Sequence, residues 1–253
     1  MATPPAYSYT IARIPSPASH AARPATLPSL AKRYAALRLG ILLSHPTSFA
    51  SNHAIEETFT EAQWEARVWR EEVTVFVCIA KPLAMGADIP PASNESESEF
   101  DGEWVGAATF IGPIPRQRYQ FAVESGSPES GTDAEETKWH MTAVFTSPHH
   151  RGQGLAKRLI DAVKVYARAH NNALPTKADA VRIRITGNPT NLTVIALYGG
   201  QGFVDVARAT GREAFMANGD DALIGLKMQT EQGRQMMQGR GVLVMEYVES
   251  LIS

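Results

Sequence analysis

Ser147 to His170 reads SPHHRGQGLAKRLIDAVKVYARAH, with Gly152 and Gly154 set directly in front of a helical periodicity. Leu155, Leu159, Val163 and Tyr166 recur three and four apart, which predicts an amphipathic helix from about Gln153 to His170. The first turn of a helix carries backbone N–H groups without intrahelical partners, and the helix dipole favours negative charge there. Glycines in front let a ligand approach those groups, so the stretch reads as a seat for phosphate. A plain strand-to-helix turn would use the same residues. A P-loop needs Gly, four residues and Gly-Lys-Ser/Thr, which the chain lacks, and a dinucleotide fingerprint needs glycine where Lys157 stands.

The rest of the chain narrows the choice. Its 253 residues are 44% hydrophobic, enough to bury a core in one domain with extensions. A net charge of -2 gives no basic footprint, so no nucleic-acid partner is expected. Cys78 is the single cysteine, which excludes an internal disulfide framework, and its apolar run VTVFVCIA marks it as a core residue. That run is too short to cross a bilayer, so no membrane partner is expected either. Without a secretory pattern, the Asn-x-Ser/Thr matches at Asn94 and Asn191 read as chance and a cytoplasmic location is expected. The absence of acidic residues before Glu56 keeps a mitochondrial address open, although YSYTIARI followed by a core helix is the plainer reading.

Along the chain, a first strand precedes a helix over Ser29 to Ser44, and Thr60 to Gln63 has capping-box spacing for a second helix. Strands follow at Val73 to Ala80, in WVGAATFIGPI and in KWHMTAVFTS, interrupted by acidic insertions at about 86–103 and 124–136. After the glycine-led helix come the strand AVRIRIT, a short helix in NLTVIALY, and two strands in GFVDVARA and ALIGLKM. The fold class is α/β, a mixed, twisted, mostly antiparallel sheet with helices on its faces. The domain is expected over 1–228, with 229–253 a C-terminal extension. Leu243, Tyr247 and Leu251, four apart, predict an amphipathic helix there, and with it a possible homodimer contact.

Two motifs in order now point further. Arg151, Gly154 and Ala156 form Arg-x-x-Gly-x-Ala before the long helix, and NLTVIALYGGQGF supplies Asn191, Tyr198, Gly202 and Phe203. Together they resemble the GNAT superfamily of N-acetyltransferases, over roughly Tyr7 to Met228. The resemblance implies a GNAT-like acyl-CoA N-acyltransferase fold with acetyl-CoA as co-substrate. In that family the loop, here Arg151, Gly152, Gln153, Gly154, Leu155 and Ala156, holds the CoA pyrophosphate. The pantetheine arm bonds the strand before it, here Val144, Phe145 and Thr146, where this strand and the next splay apart. Asn191 would complete the cofactor contacts, and Tyr198 would protonate the CoA thiolate.

Strand alternation puts His140, Thr142, Val144 and Thr146 on one side. Many family members carry a Glu base on this strand, and His140 stands at that position. Glu56 and Glu57 are the alternatives for the base. His149 and His150 are adjacent on a turn and point apart without a carboxylate cluster, so no metal is expected. Arg182 and Arg184 read as a solvated strand face. The expected reaction is acetyl transfer to the primary amine of a small molecule. A protein lysine or N-terminus is the second reading, and a non-catalytic acyl-CoA sensor the third.

Overall fold

The computed structural model describes residues 6–46, 49, 51–83 and 98–252. Seven strands hydrogen-bond in the order β1-β2-β3-β4-β5-β7-β6, where β1 is Tyr7–Arg13, β2 Val73–Pro82, β3 Glu103–Ile111, β4 Glu136–Thr146, β5 Ala180–Gly187, β6 Val204–Ala209 and β7 Val242–Ser250. The mixed α/β sheet is the expected one: β1–β2, β5–β7 and β6–β7 are antiparallel, while β4–β5 is parallel. The chain divides into two compact units, 1–46, 51–108 and 144–162 against 47–50, 109–143 and 163–253, so β3, β4 and the helix α5 (Leu155–Ala173) each contribute to both.

In the first unit, β2 buries eight consecutive residues from Val73 to Ala80, the mark of a strand covered on both faces. Cys78 lies in this run, and burial pushes its thiol pKa up to about 11, which removes it as a nucleophile. Helix α1 (Leu27–Ser44) starts two residues before the expected Ser29, with Pro28 tolerated in a first turn that needs no N–H donor there. It buries Leu27, Leu30, Tyr34, Ile41 and Leu42, and the Tyr34 ring meets Trp64 of α3 (Glu61–Val68) edge-on at 6.2 Å. The capping box forms as its spacing predicts, with Gln63 N–H donating to Thr60 Oγ1 at 3.3 Å and Thr60 N–H to Gln63 Oε1 at 2.7 Å. Between these helices lies the short α2 (His53–Glu56).

The second unit is built around β7. Residues Leu243 to Ser250 pair with Gly187 to Ala180, and Val242 to Glu246 pair on the other side with β6. The helix expected near the C-terminus is therefore corrected to a strand. Leu243, Tyr247 and Leu251 are four apart, and four is also two strand periods, so the spacing fits either element. Val242 to Glu246 thus have sheet partners on both edges. ALIGLKM is likewise no strand; it forms a 3₁₀ turn at Asp221–Leu223 and the short helix α8 (Ile224–Lys227), with Leu223 alone buried. This lies in an insertion between β6 and β7 that also holds α7 (Gly211–Asn218) and α9 (Glu231–Gln238).

Most of the first acidic insertion lies outside the described residues. The second is ordered by its own carboxylates, which accept backbone N–H bonds: Glu136 from Gly131 at 3.0 Å and Glu135 from Thr132 at 2.8 Å. Upstream of it, α4 (Arg116–Tyr119) drives Tyr119 into the core. Arg182 and Arg184 do not form the solvated face expected of them. Arg182 is held between Glu136 (2.7 and 2.8 Å) and Glu246 (2.7 Å), whose hydrogen bonds raise its pKa. Arg184 is 2% exposed, its guanidinium 4.2 Å from the Tyr119 ring centroid and 3.9 Å from that of Phe121, and it donates to Tyr119 O. Residues 116–121 cover this part of the sheet, so its charges are paired and stacked rather than hydrated.

Candidate active site

The glycine loop stands where the sequence predicts. Gly152 has φ 78° and Gly154 φ 70°, a left-handed conformation that side-chain-bearing residues adopt only at a cost. Nothing lies within 4 Å of where a Cβ would be at either position. The space over the loop is open. Helix α5 begins at Leu155, and Arg158 N–H donates to Gly154 O at 3.1 Å, which makes Gly154 the residue that would cap the helix. Having no side chain, it cannot do so. Helices α3, α6 (Leu192–Gly199), α7 and α9 instead have a Thr or Asn cap that accepts a first-turn N–H. Gly154 thus offers no side-chain cap at the start of the 19-residue α5, and a pyrophosphate has the charge and oxygen atoms that suit first-turn N–H groups.

Arg151, Gly152 and Gln153 are exposed and Leu155 anchors the loop in the core. The Arg151 guanidinium donates from Nη2 to His45 Nε2 at 2.8 Å, just past the end of α1. Sequence reading missed His45, which is 106 residues away and belongs to no motif.

Val144, Phe145 and Thr146 share the first unit with the loop. The β4–β5 ladder ends at the His140–Arg184 pair, although β4 runs on to Thr146 and β5 to Gly187. From Met141 onward β4 therefore has backbone groups without a partner in β5, and such groups can bond an extended amide-bearing ligand. Ala143 at φ 51° marks the change in course, and strict alternation of His140, Thr142, Val144 and Thr146 on one face is broken there. On the β3 side the strands stay close: a Cβ at Gly106 would lie 2.8 Å from Phe145 O.

Tyr198 and Asn191 lie in the second unit, on α6. Asn191 Oδ1 accepts Val194 N–H at 3.2 Å as the helix N-cap, so that oxygen is already engaged. Tyr198 is buried, with its ring 5.3 Å from Phe203. Burial raises its pKa well above that of a free phenol, so it holds its proton throughout the physiological range.

His140 is unsuited to the base role. It is 0% exposed, and its Nε2 is 2.8 Å from Asn218 Oδ1 of α7. Burial, with the Arg184 charge adding to it, lowers its pKa to about 3. It stays neutral and has little affinity for a proton. Glu56 fails for the opposite reason. Burial would raise its pKa, but the two hydrogen bonds from Arg38 (2.8 and 3.0 Å) and the Arg38 and Arg67 charges prevail and hold it below the ordinary carboxylate value. It is a structural ion pair, seated where Arg38 lies 5.9 Å from the Phe145 ring. Glu57 is exposed and lies 3.2 Å from His53 Nδ1. Among the described residues no group of three or more His, Cys, Asp or Glu could hold a metal ion, and no helix is long and apolar enough to cross a membrane.

Residues 95–203 match the acetyltransferase (GNAT) family. No curated protein sequence matches the chain. Among solved structures, a GNAT-family acetyltransferase from Streptococcus pneumoniae superposes with a TM-score of 0.53 at 12% identity, over 96% of this chain and 100% of that one. Arabidopsis thaliana NAA60 in complex with acetyl-CoA (TM-score 0.45, 13% identity, 96% and 99% coverage) and the ribosomal-protein-alanine N-acetyltransferase of Brucella melitensis (0.43, 18%, 90% and 97%) are more distant in shape.

Proposed function

We propose that this chain, whose residues 95–203 match the acetyltransferase (GNAT) family, is an acyl-CoA-dependent N-acyltransferase that moves an acetyl group from acetyl-CoA to the primary amine of a small molecule. The observation that carries the donor half is the start of α5, where two left-handed glycines without side chains leave open space in front of the first helical turn. In this reading Arg151 to Ala156 bind the donor pyrophosphate, and the end of β4 at Val144, Phe145 and Thr146, beyond its last pair with β5, bonds the pantetheine amides. The amine nitrogen attacks the thioester carbon, the carbon–sulfur bond breaks, and the electron pair leaves with sulfur. Tyr198 gives its proton to the thiolate and recovers one from the new amide nitrogen, so the phenol relays a proton rather than consuming one.

The relay follows from magnitudes. A thiol near pKa ~8.5 facing a phenol above ~10 makes a one-way transfer uphill by at least about 2 kcal/mol. Return of the ammonium proton offsets that cost. With His140 and Glu56 both unfit as bases and Glu57 exposed beside His53, the acceptor enters as its neutral amine. A small acceptor is supported by the insertion between β6 and β7, which brings Asn218 onto His140 and closes that part of β4 to solvent.

The test is turnover of acetyl-CoA with a panel of polyamines, amino sugars and lysine peptides, repeated on Tyr198→Phe. The expected result is acetylation of a small amine, with kcat reduced about 10²- to 10⁴-fold in the variant at unchanged donor affinity. Tyr198→Phe with wild-type kcat would remove Tyr198 from the reaction, and donor binding without turnover on any amine would favour an acyl-CoA sensor.

A further inference from the structure

The donor loop has little of its own to hold it in shape. Gly152 and Gly154 lack side chains and give the backbone wide conformational freedom, and Arg151 and Gln153 are exposed, so the loop's shape depends on what brackets it. Beside the Arg151–His45 bond and the buried Leu155, one residue of β1 brackets the loop. Tyr9 is hydrogen-bonded to both sides of the loop. Its hydroxyl lies 3.1 Å from Nδ1 of His150, the residue before Arg151, and its carbonyl accepts from Arg158 Nη2 at 2.6 Å, in the first turn of α5.

His150 is itself fixed. It is 5% exposed, its Nε2 is 3.5 Å from Glu103 Oε2, and its ring meets those of Tyr7 and Tyr9 edge-on at 4.9 and 5.8 Å. With the carboxylate on the Nε2 side, Nδ1 is the bare nitrogen, and the Tyr9 hydroxyl donates to it. Burial, reinforced by the charges of Cys78, Tyr7 and Glu103, raises the Tyr9 pKa, so the hydroxyl remains a donor.

We propose that Tyr9 is a positioning residue of the donor site, clamping His150 and Arg158 so that the loop between them keeps its phosphate-binding shape before acetyl-CoA arrives. The proposal rests on the reading of this loop as the pyrophosphate seat. Tyr9 touches neither the reacting atoms nor the loop's own N–H groups, so its influence is on donor affinity alone. Pre-forming the loop means that the donor does not have to order it on binding.

The experiment is acetyl-CoA titration by calorimetry together with steady-state kinetics on Tyr9→Phe, which keeps the ring and the carbonyl and removes the hydroxyl. Expected is a 3- to 10-fold rise in the Kd and KM for acetyl-CoA, with kcat at saturating donor and KM for the amine unchanged. Tyr7→Phe, on the same strand, should bind as wild type. The double variant Tyr9→Phe/His150→Gln should bind no more weakly than His150→Gln, because both act through one contact. Wild-type donor affinity in folded Tyr9→Phe overturns the clamp, and so does a loss confined to kcat. If wild type itself does not bind acetyl-CoA, the pyrophosphate-seat reading fails and the clamp with it, a result separable from failure in the variant alone.

Discussion

Gly154→Ala tests the donor seat most directly, and Gly126→Ala is its control. The two glycines have nearly the same backbone, φ 70° and φ 75°, and a Cβ at either would meet nothing within 4 Å. Each substitution therefore carries the same conformational penalty, about 1–2 kcal/mol for a side chain in the left-handed region. For a chain of this size that is a fall in Tm of about 2–8 °C. The surroundings differ: Gly126 ends a 3₁₀ turn at Val123–Ser125, whereas Gly154 directly precedes the first turn of α5. A methyl at Gly154 displaces the phosphate from at least one charge-assisted hydrogen bond, worth about 1.5–3 kcal/mol. Acetyl-CoA should bind about 10- to 150-fold more weakly to Gly154→Ala and with unchanged affinity to Gly126→Ala, at matched losses of Tm. Calorimetric titration beside differential scanning calorimetry reads both. Equal donor affinity in the two variants would refute the argument, because it would mean that the open space over Gly154 is not where the phosphate lies.

Two further outcomes follow from the second unit. His140 is held neutral in the fold with a pKa of about 3, against ~6.5 unfolded, so the unfolded chain binds the extra proton as pH falls. Its contribution is complete above pH ~6.5 and is lost on acidification, by about 2 kcal/mol between pH 7 and 5. The depressed carboxylates Glu56 and Glu136 act with the same sign but only below their unfolded value of ~4.5, outside this window. Tm measured from pH 7 to 5 should fall for wild type and fall clearly less for His140→Gln; parallel slopes would contradict the assignment. A chain ending at Met228 loses β7, with buried Leu243, Val244 and Met245 together worth about 5–9 kcal/mol of burial, against a typical net stability of about 5–15 kcal/mol. It should show no cooperative melting, and a sharp transition near the wild-type Tm would show that the strand is dispensable.

Short-range signals determined much of this protein. The periodicity of α5, the Thr60 capping box, the strand runs other than ALIGLKM and the glycine pair before Leu155 all act within a few residues, and each formed where its spacing placed it. Local geometry follows from local sequence because a helix turn, a cap or a left-handed glycine is decided by neighbours in the chain. The geometry of the glycine loop was legible for that reason.

The tertiary structure decided what depends on contacts across long separations. Apolar residues four apart fit a helix and a strand equally, and β5 and β6 made Val242–Ser250 a strand by pairing with both its edges. Alternation put Arg182 and Arg184 on one strand face and His140 on another strand, but only burial by residues 116–121 and α7 turned a presumed wet face into a closed one and an expected base into a neutral imidazole. Glu56 lost its candidacy to Arg38, 18 residues away, and Tyr9 reached the donor loop across 141. Charge state and accessibility belong to the packed environment, since desolvation and pairing come from whichever groups the fold brings alongside.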